Sequence, residues 1–188
     1  NKPLIVKEKL RKIKKQKFYS DRDLKYAKQA ISFLEKSNWK DAKKAASKAR
    51  AKSIYDFIQW RHLLTTGNRA TFTEYKQFIE RVKDYPRIDR VRYLGEHKIN
   101  SKNHTKNEII QWFDKHPPLS GFGKMMLGDA LLSKNNETAI NLIKEGFITA
   151  DLSKNDLIFF RKKFKKYLNS SDYIKRADYL AWENKYWD

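Results

Sequence analysis

Cysteine is absent from this chain, and its absence excludes disulfide frameworks, thiol nucleophiles and Cys-ligated zinc. Glycine and proline are scarce, six and four in 188 residues, which leaves few places where a helix must stop. Long apolar runs are also missing. The longest span a few residues, such as Leu157-Ile158-Phe159-Phe160, far short of the roughly 20 needed to cross a bilayer as a helix. No apolar signal core lies near the start, and the first residue is Asn1, so the chain reads as processed or as part of a longer protein. Common catalytic signatures are absent too. Gly121-Phe122-Gly123-Lys124 lacks the spacing of a phosphate-binding loop and the Ser or Thr after its Lys. His62, His97, His104 and His116 never pair at i, i+4 around a Glu, the metalloprotease arrangement, and read as surface or packing histidines. No Gly-x-Ser-x-Gly elbow exists.

What is present is charge and aromatic bulk. The 42 Lys and Arg outnumber 22 Asp and Glu for a formal charge of +20, while five Trp, ten Tyr and eleven Phe supply enough apolar surface for a core and argue against disorder. Such a charge points to an anionic partner: nucleic acid, an acidic membrane surface or an acidic polymer. Lys contributes 31 of the 42, whereas base and phosphate reading leans on the planar Arg fork, so no nucleic-acid partner is expected. The basic tracts lie at Lys12 to Lys17, Lys40 to Lys52 and Arg161 to Lys166. In the second, Trp39, Ala42, Ala45, Ala46 and Ala49 hold the complementary helical positions, which makes its lysines the wet face of an amphipathic helix.

Apolar residues recur at spacings of three and four almost throughout. Leu24, Ala27, Ile31 and Leu34 form one stripe, and Asn38 is placed to cap the next helix. Capping boxes are predicted at Ser53-x-x-Asp56, Thr71-x-x-Glu74, Thr105-x-x-Glu108 and Ser153-x-x-Asp156. Gly67 ends the third helix, Pro86 fits the first turn of another, and Pro117-Pro118 precedes one that starts near Ser120. A last helix from about Ser171 carries Tyr173, Ile174, Ala177, Leu180 and Ala181. About ten short helices and no strand pair predict an all-α fold, an irregular α-solenoid of antiparallel hairpins with tetratricopeptide-like features. Residues 1–20 read as a Lys-rich leader, and 21–188 as the helical domain.

Glycosidic cleavage commonly needs two facing carboxylates. The acids here have other employment: Glu74, Glu108, Asp56 and Asp156 fall at cap positions, and Glu35, Asp41, Glu80 and Glu183 on wet faces. Trp39, Trp60, Trp112, Trp182 and Trp187 are able to stack on sugars, but their helical spacing is that of packing anchors. No catalytic, metal-binding or cofactor-binding residue is assigned.

Several stretches resemble the helical N-terminal region of soluble lytic murein transglycosylases. Ala30-Ile31-Ser32-Phe33-Leu34-Glu35 through Trp39-Lys40-Asp41-Ala42 resembles its opening, Phe57 through Leu63 its W-R-x-L helix, and Phe72-Thr73-Glu74 through Phe78-Ile79-Glu80 the next. Tyr85-Pro86 falls where that family has W-P before an Arg-rich helix. Trp112-Phe113-Asp114-Lys115-His116-Pro117-Pro118-Leu119-Ser120-Gly121 resembles W-F-x-x-x-P-P-L-T-G. Gly128 through Leu132 is similar to A-E-A-L-L, and Arg176-x-Asp178-Tyr179-Leu180-x-Trp182-Glu183 to R-L-D-x-L-L-W-E. The order is kept over residues 23–188.

The resemblance implies a periplasmic, curved helical scaffold for an enzyme that cleaves the MurNAc–GlcNAc bond of peptidoglycan with one Glu in a Glu-Ser context. No Glu-Ser dipeptide occurs here. The chain is therefore expected to be the non-catalytic arm, without cofactor, its partner the glycan strands of peptidoglycan. The alternatives are a stand-alone helical module that binds peptidoglycan or a protein, and, third, a basic nucleic-acid binder.

Overall fold

Side-chain caps start most of the helices. Thr71 and Thr105 each accept from the N–H three residues on while Glu74 and Glu108 reach back, the reciprocal capping boxes that the spacing predicts. Asn38 caps as expected, Ser153 caps without the predicted reciprocal bond to Asp156, and Ser20, Ser120 and Asn169 cap as well. The computed structural model describes residues 18–82, 84–134 and 136–183. The leader expected over residues 1–20 lies, apart from Phe18, Tyr19 and Ser20, outside the described residues, as does Trp187.

The described residues form ten helices and no strand: α1 (Asp21–Glu35), α2 (Trp39–Ala46), α3 (Lys52–Leu64), α4 (Phe72–Arg81), α5 (Ile88–Glu96), α6 (Lys106–Lys115), α7 (Gly121–Leu131), α8 (Asn136–Thr149), α9 (Lys154–Lys163) and α10 (Ser170–Trp182). The chain is all-α. Two starts differ from expectation. α3 begins at Lys52, so Ser53 lies inside its first turn, with its hydroxyl hydrogen-bonded to Tyr19 Oη at 3.2 Å. Pro86 lies ahead of α5, whose N-cap, Arg87, is left-handed at φ 56°.

The chain separates into two compact units, residues 1–58 and 59–188. In the first, α1 packs on α2 around Ala30, Ala42, Ala45, Ala46, Ile54 and Ile58. The three alanines of α2 have no bulk beyond Cβ, and a close helix approach is the result. In the second unit α4 packs on α5, α6 on α7, α7 on α8, and α10 returns to α8. Its core runs from Leu63 through Tyr75, Phe78, Trp112, Phe113, Met125, Ile143 and Phe147 to Phe164.

α7 and α8 cross at glycines. A Cβ on Gly146 would lie 2.5 Å from Gly121 O, and one on Gly128 would lie 2.8 Å from Ala139 O. Backbone meets backbone there, a contact that any side chain would wedge apart.

The first and last helices depart from their predicted faces. Leu24 and Ile31 of α1 are 39% and 42% exposed, while Asp23 and Ala30 are buried. In α10, Ile174 is 62% exposed, while Asp172 and Arg176 are buried.

Candidate functional site

The buried charged groups are the natural place to look for chemistry, because a desolvated charge persists only when hydrogen-bonded or paired. In the second unit the most enclosed is Glu96, 2% exposed, at the end of α5. Its Oε1 accepts from Leu119 N–H at 2.8 Å and its Oε2 from Ser120 N–H at 2.7 Å. The Ser120 hydroxyl donates to Oε2 as well, and accepts from Gly123 N–H at 2.8 Å. A Cβ on Gly123 would strike this carboxylate. Burial pushes the Glu96 carboxyl above its ordinary range, with the three donors and Arg92 pulling it back. Every donor is backbone, or the hydroxyl that caps α7. The Glu96 carboxyl thus clamps the start of α7 from the end of α5.

The same device occurs with other signs and places. Asp23 of α1 accepts from the N–H groups of Arg50 (2.7 Å) and Ala51 (3.4 Å), just ahead of α3, and from the Ser20 hydroxyl at 2.7 Å. That hydroxyl, followed by the two N–H groups, holds the Asp23 carboxyl below its usual value against the opposing effect of burial. Arg176 of α10, 5% exposed, donates through Nη1 to Phe147 O at 2.6 Å and Ala150 O at 2.9 Å. Phe147 lies in the last turn of α8 and Ala150 directly follows that helix, a helix end where a cation is favoured. Carboxylates hold helix starts, and a guanidinium holds a helix end.

The histidines are packing groups. His97 lies flat on Phe122 with centroids 5.1 Å apart, and burial pushes its imidazole down towards the neutral form. His116 stacks on Trp112 at 4.0 Å and is likewise lowered, chiefly by burial. His104 meets the edge of Phe72 at 5.1 Å, and His62 is buried.

Grooves open on the second unit, among them one of ≈ 320 Å³ beside Asp172, Lys144 and Lys175, and two larger ones. One, of ≈ 590 Å³, is lined by Ile79, Glu80, Ile88, Asp89, Arg92, Lys115 and His116. Its guanidinium is engaged: Arg92 donates to Asp89 Oδ1 at 3.3 Å and to Pro117 O at 2.9 Å. The other, of ≈ 560 Å³, has Phe122, Phe159 and Phe160 beside His97, Asp151 and Asp156. Asp156 is held by the Ser153 hydroxyl at 2.7 Å. Glu96 is not among the groove-lining residues of either, since Leu119 and Ser120 cover it. Among the described residues no group of three or more His, Asp or Glu is placed to hold a metal ion.

Of the expected cap acids, Glu74 and Glu108 close their boxes, Asp156 accepts the Ser153 hydroxyl without closing one, and Asp56 lies inside α3; Glu35, Glu80 and Glu183 are exposed. Sequence reasoning missed Glu96, Asp23, Asp172 and Arg176. Ser20-x-x-Asp23 and Asn169-x-x-Asp172 carry cap spacing and were legible; Glu96 and Arg176 carry no local signal. Compared with protein-family models, curated proteins and solved structures, the chain matches none.

Proposed function

We propose that this chain is the non-catalytic helical scaffold of a periplasmic soluble lytic murein transglycosylase, its hairpins forming part of an α-solenoid beside the glycan strands that the enzyme cleaves. One observation carries the reading: several residues of the resembling stretches are committed to packing and helix ends. Trp112 and Phe113 are buried, Leu119 and Ser120 are gripped by Glu96, and Arg176 holds α8. Gly128 sits at the α7–α8 crossing. This is the work of a scaffold, and Glu96, the most enclosed carboxylate of the second unit, lines neither of the two larger grooves.

The scaffold reading predicts that the purified chain releases no 1,6-anhydro-muropeptides from peptidoglycan by mass spectrometry. Their appearance would overturn it. The gene's reading frame is expected to continue into a lysozyme-like domain with a catalytic Glu-Ser. A frame without one favours the second reading, a self-standing module. Its support is the exposed apolar side chains of α9 and α10, Ile158, Phe159 and Ile174 among them, which offer a surface to a partner.

A further inference from the structure

α9 satisfies the core with one face and leaves another unaccounted for. Phe160 is 3% exposed, meets Phe122 edge-on at 5.6 Å and stacks on Phe164 at 5.7 Å. Ile158 and Phe159, on the neighbouring faces, are 56% and 53% exposed. Helical spacing places Lys162 one turn beyond Ile158 and Lys163 one turn beyond Phe159, where the Lys163 ammonium lies 5.7 Å from the Phe159 ring. Five of the six residues from Arg161 to Lys166 are basic. Lys163 is neutralised by Asp129 at 2.6 Å. Arg161 covers the Tyr173 ring and Lys166 the Tyr167 ring, at 5.4 and 4.9 Å, and both remain exposed. Among the described residues no carboxylate ion-pairs with Arg161, Lys162, Lys165 or Lys166. Of the acids nearest in sequence, Asp156 belongs to the opposite, N-terminal end of α9, and Asp172, in the first turn of α10, lies 3.7 Å from the Lys144 ammonium. One or two cations suffice to complement a helix C-terminus. The rest of the charge and the two exposed apolar side chains need another reason.

We propose that the C-terminal half of α9 and the turn that follows it, residues 158–166, are a docking surface for an anionic phospholipid bilayer. Its cations would sit among the headgroups, with Ile158 and Phe159 at the headgroup–acyl boundary. Charge complementarity selects this occupant. A second copy would bring like charges face to face, and a nucleic acid has no use for an exposed isoleucine and would favour Arg over the Lys that dominates here. The inference is independent of the peptidoglycan reading, because its test contains no glycan.

The full chain is mixed with vesicles of phosphatidylcholine alone or with added phosphatidylglycerol and sedimented across a salt series. Binding is expected to the anionic vesicles only and to weaken with salt. Lys162→Gln with Lys165→Gln should lower the affinity about 25-fold, taking about fivefold for each basic residue at an anionic surface. Ile158→Ser with Phe159→Ser should also lower it, with the helical circular dichroism of both double variants unchanged. The cysteine-free chain allows a single environment-sensitive fluorophore at Phe159→Cys, expected to shift to the blue on anionic vesicles, while one at the exposed Thr66→Cys does not. No sedimentation at low salt overturns the proposal. So does a silent fluorophore at position 159 with binding transferred fully to a soluble polyanion such as heparin or DNA, which would make the patch a general polyanion site. Equal binding by the Ile158/Phe159 double variant overturns it as well.

Discussion

Glu96 shows how much one side chain can hold. Replacing it by Gln sets an amide N–H₂ against donors and leaves one of the Leu119 and Ser120 groups unsatisfied, at a cost of about 2–3 kcal/mol. Urea unfolding checks this. Its pH dependence follows from the raised carboxyl. The folded protein binds this proton more tightly than the unfolded chain, so the Glu96 contribution to stability falls as pH rises from 4.5 through the folded pKa and is level above it. The difference between wild type and Glu96→Gln cancels His97 and His116, and should therefore be largest in acid and shrink towards neutral pH. A difference that grows with pH would contradict the assignment. Arg87 makes the opposite case. A non-glycine residue in the left-handed region is strained, and Arg87→Gly should raise stability by roughly 0.5–1 kcal/mol in the same assay.

At the scale of elements, the α7–α8 crossing and the α10 clamp are the points of greatest sensitivity. Gly128→Ala pushes a methyl into Ala139 O and Ile143, both 2.8 Å from the new Cβ, and should cost about 1–3 kcal/mol in thermal or urea unfolding. Arg176→Ala removes both donations to the end of α8 and should cost about 3 kcal/mol. Arg176→Lys should rescue this poorly, because both bonds come from Nη1 and the shorter Lys side chain carries its ammonium one atom nearer the backbone. These elements also show why legibility in the sequence was uneven. The α4 and α6 starts were read correctly because Thr71 and Glu74, like Thr105 and Glu108, interact within one turn. The buried faces of α1 and α10 were misread, since an apolar stripe records only what a helix is able to bury. Here the inward face was taken by Asp23 and Arg176, whose partners lie 26–29 residues away.

For the whole molecule, a formal charge of +20, from 42 basic against 22 acidic side chains, makes self-repulsion the dominant long-range term. Screening over about 8 Å at physiological ionic strength should therefore stabilise the fold. The urea midpoint is expected to rise with sodium chloride and not to fall. The same screening weakens any electrostatic hold on sacculi or vesicles, so stability and binding should respond to salt in opposite directions, a contrast that separates unfolding from release.

The sequence by itself determined the all-α class, most helix starts, the end of α3 before Gly67 and the apolar stripe of α2. Each of these depends on residues within four or so positions of one another, where hydrogen-bond reach and the 3.6-residue period act directly. The tertiary structure alone decided that Glu96 and Arg176 are buried as clamps, and that Ile158, Phe159 and Ile174 remain in the open. A buried charge is stable only beside groups brought from far along the chain, and an apolar side chain is buried only if something covers it.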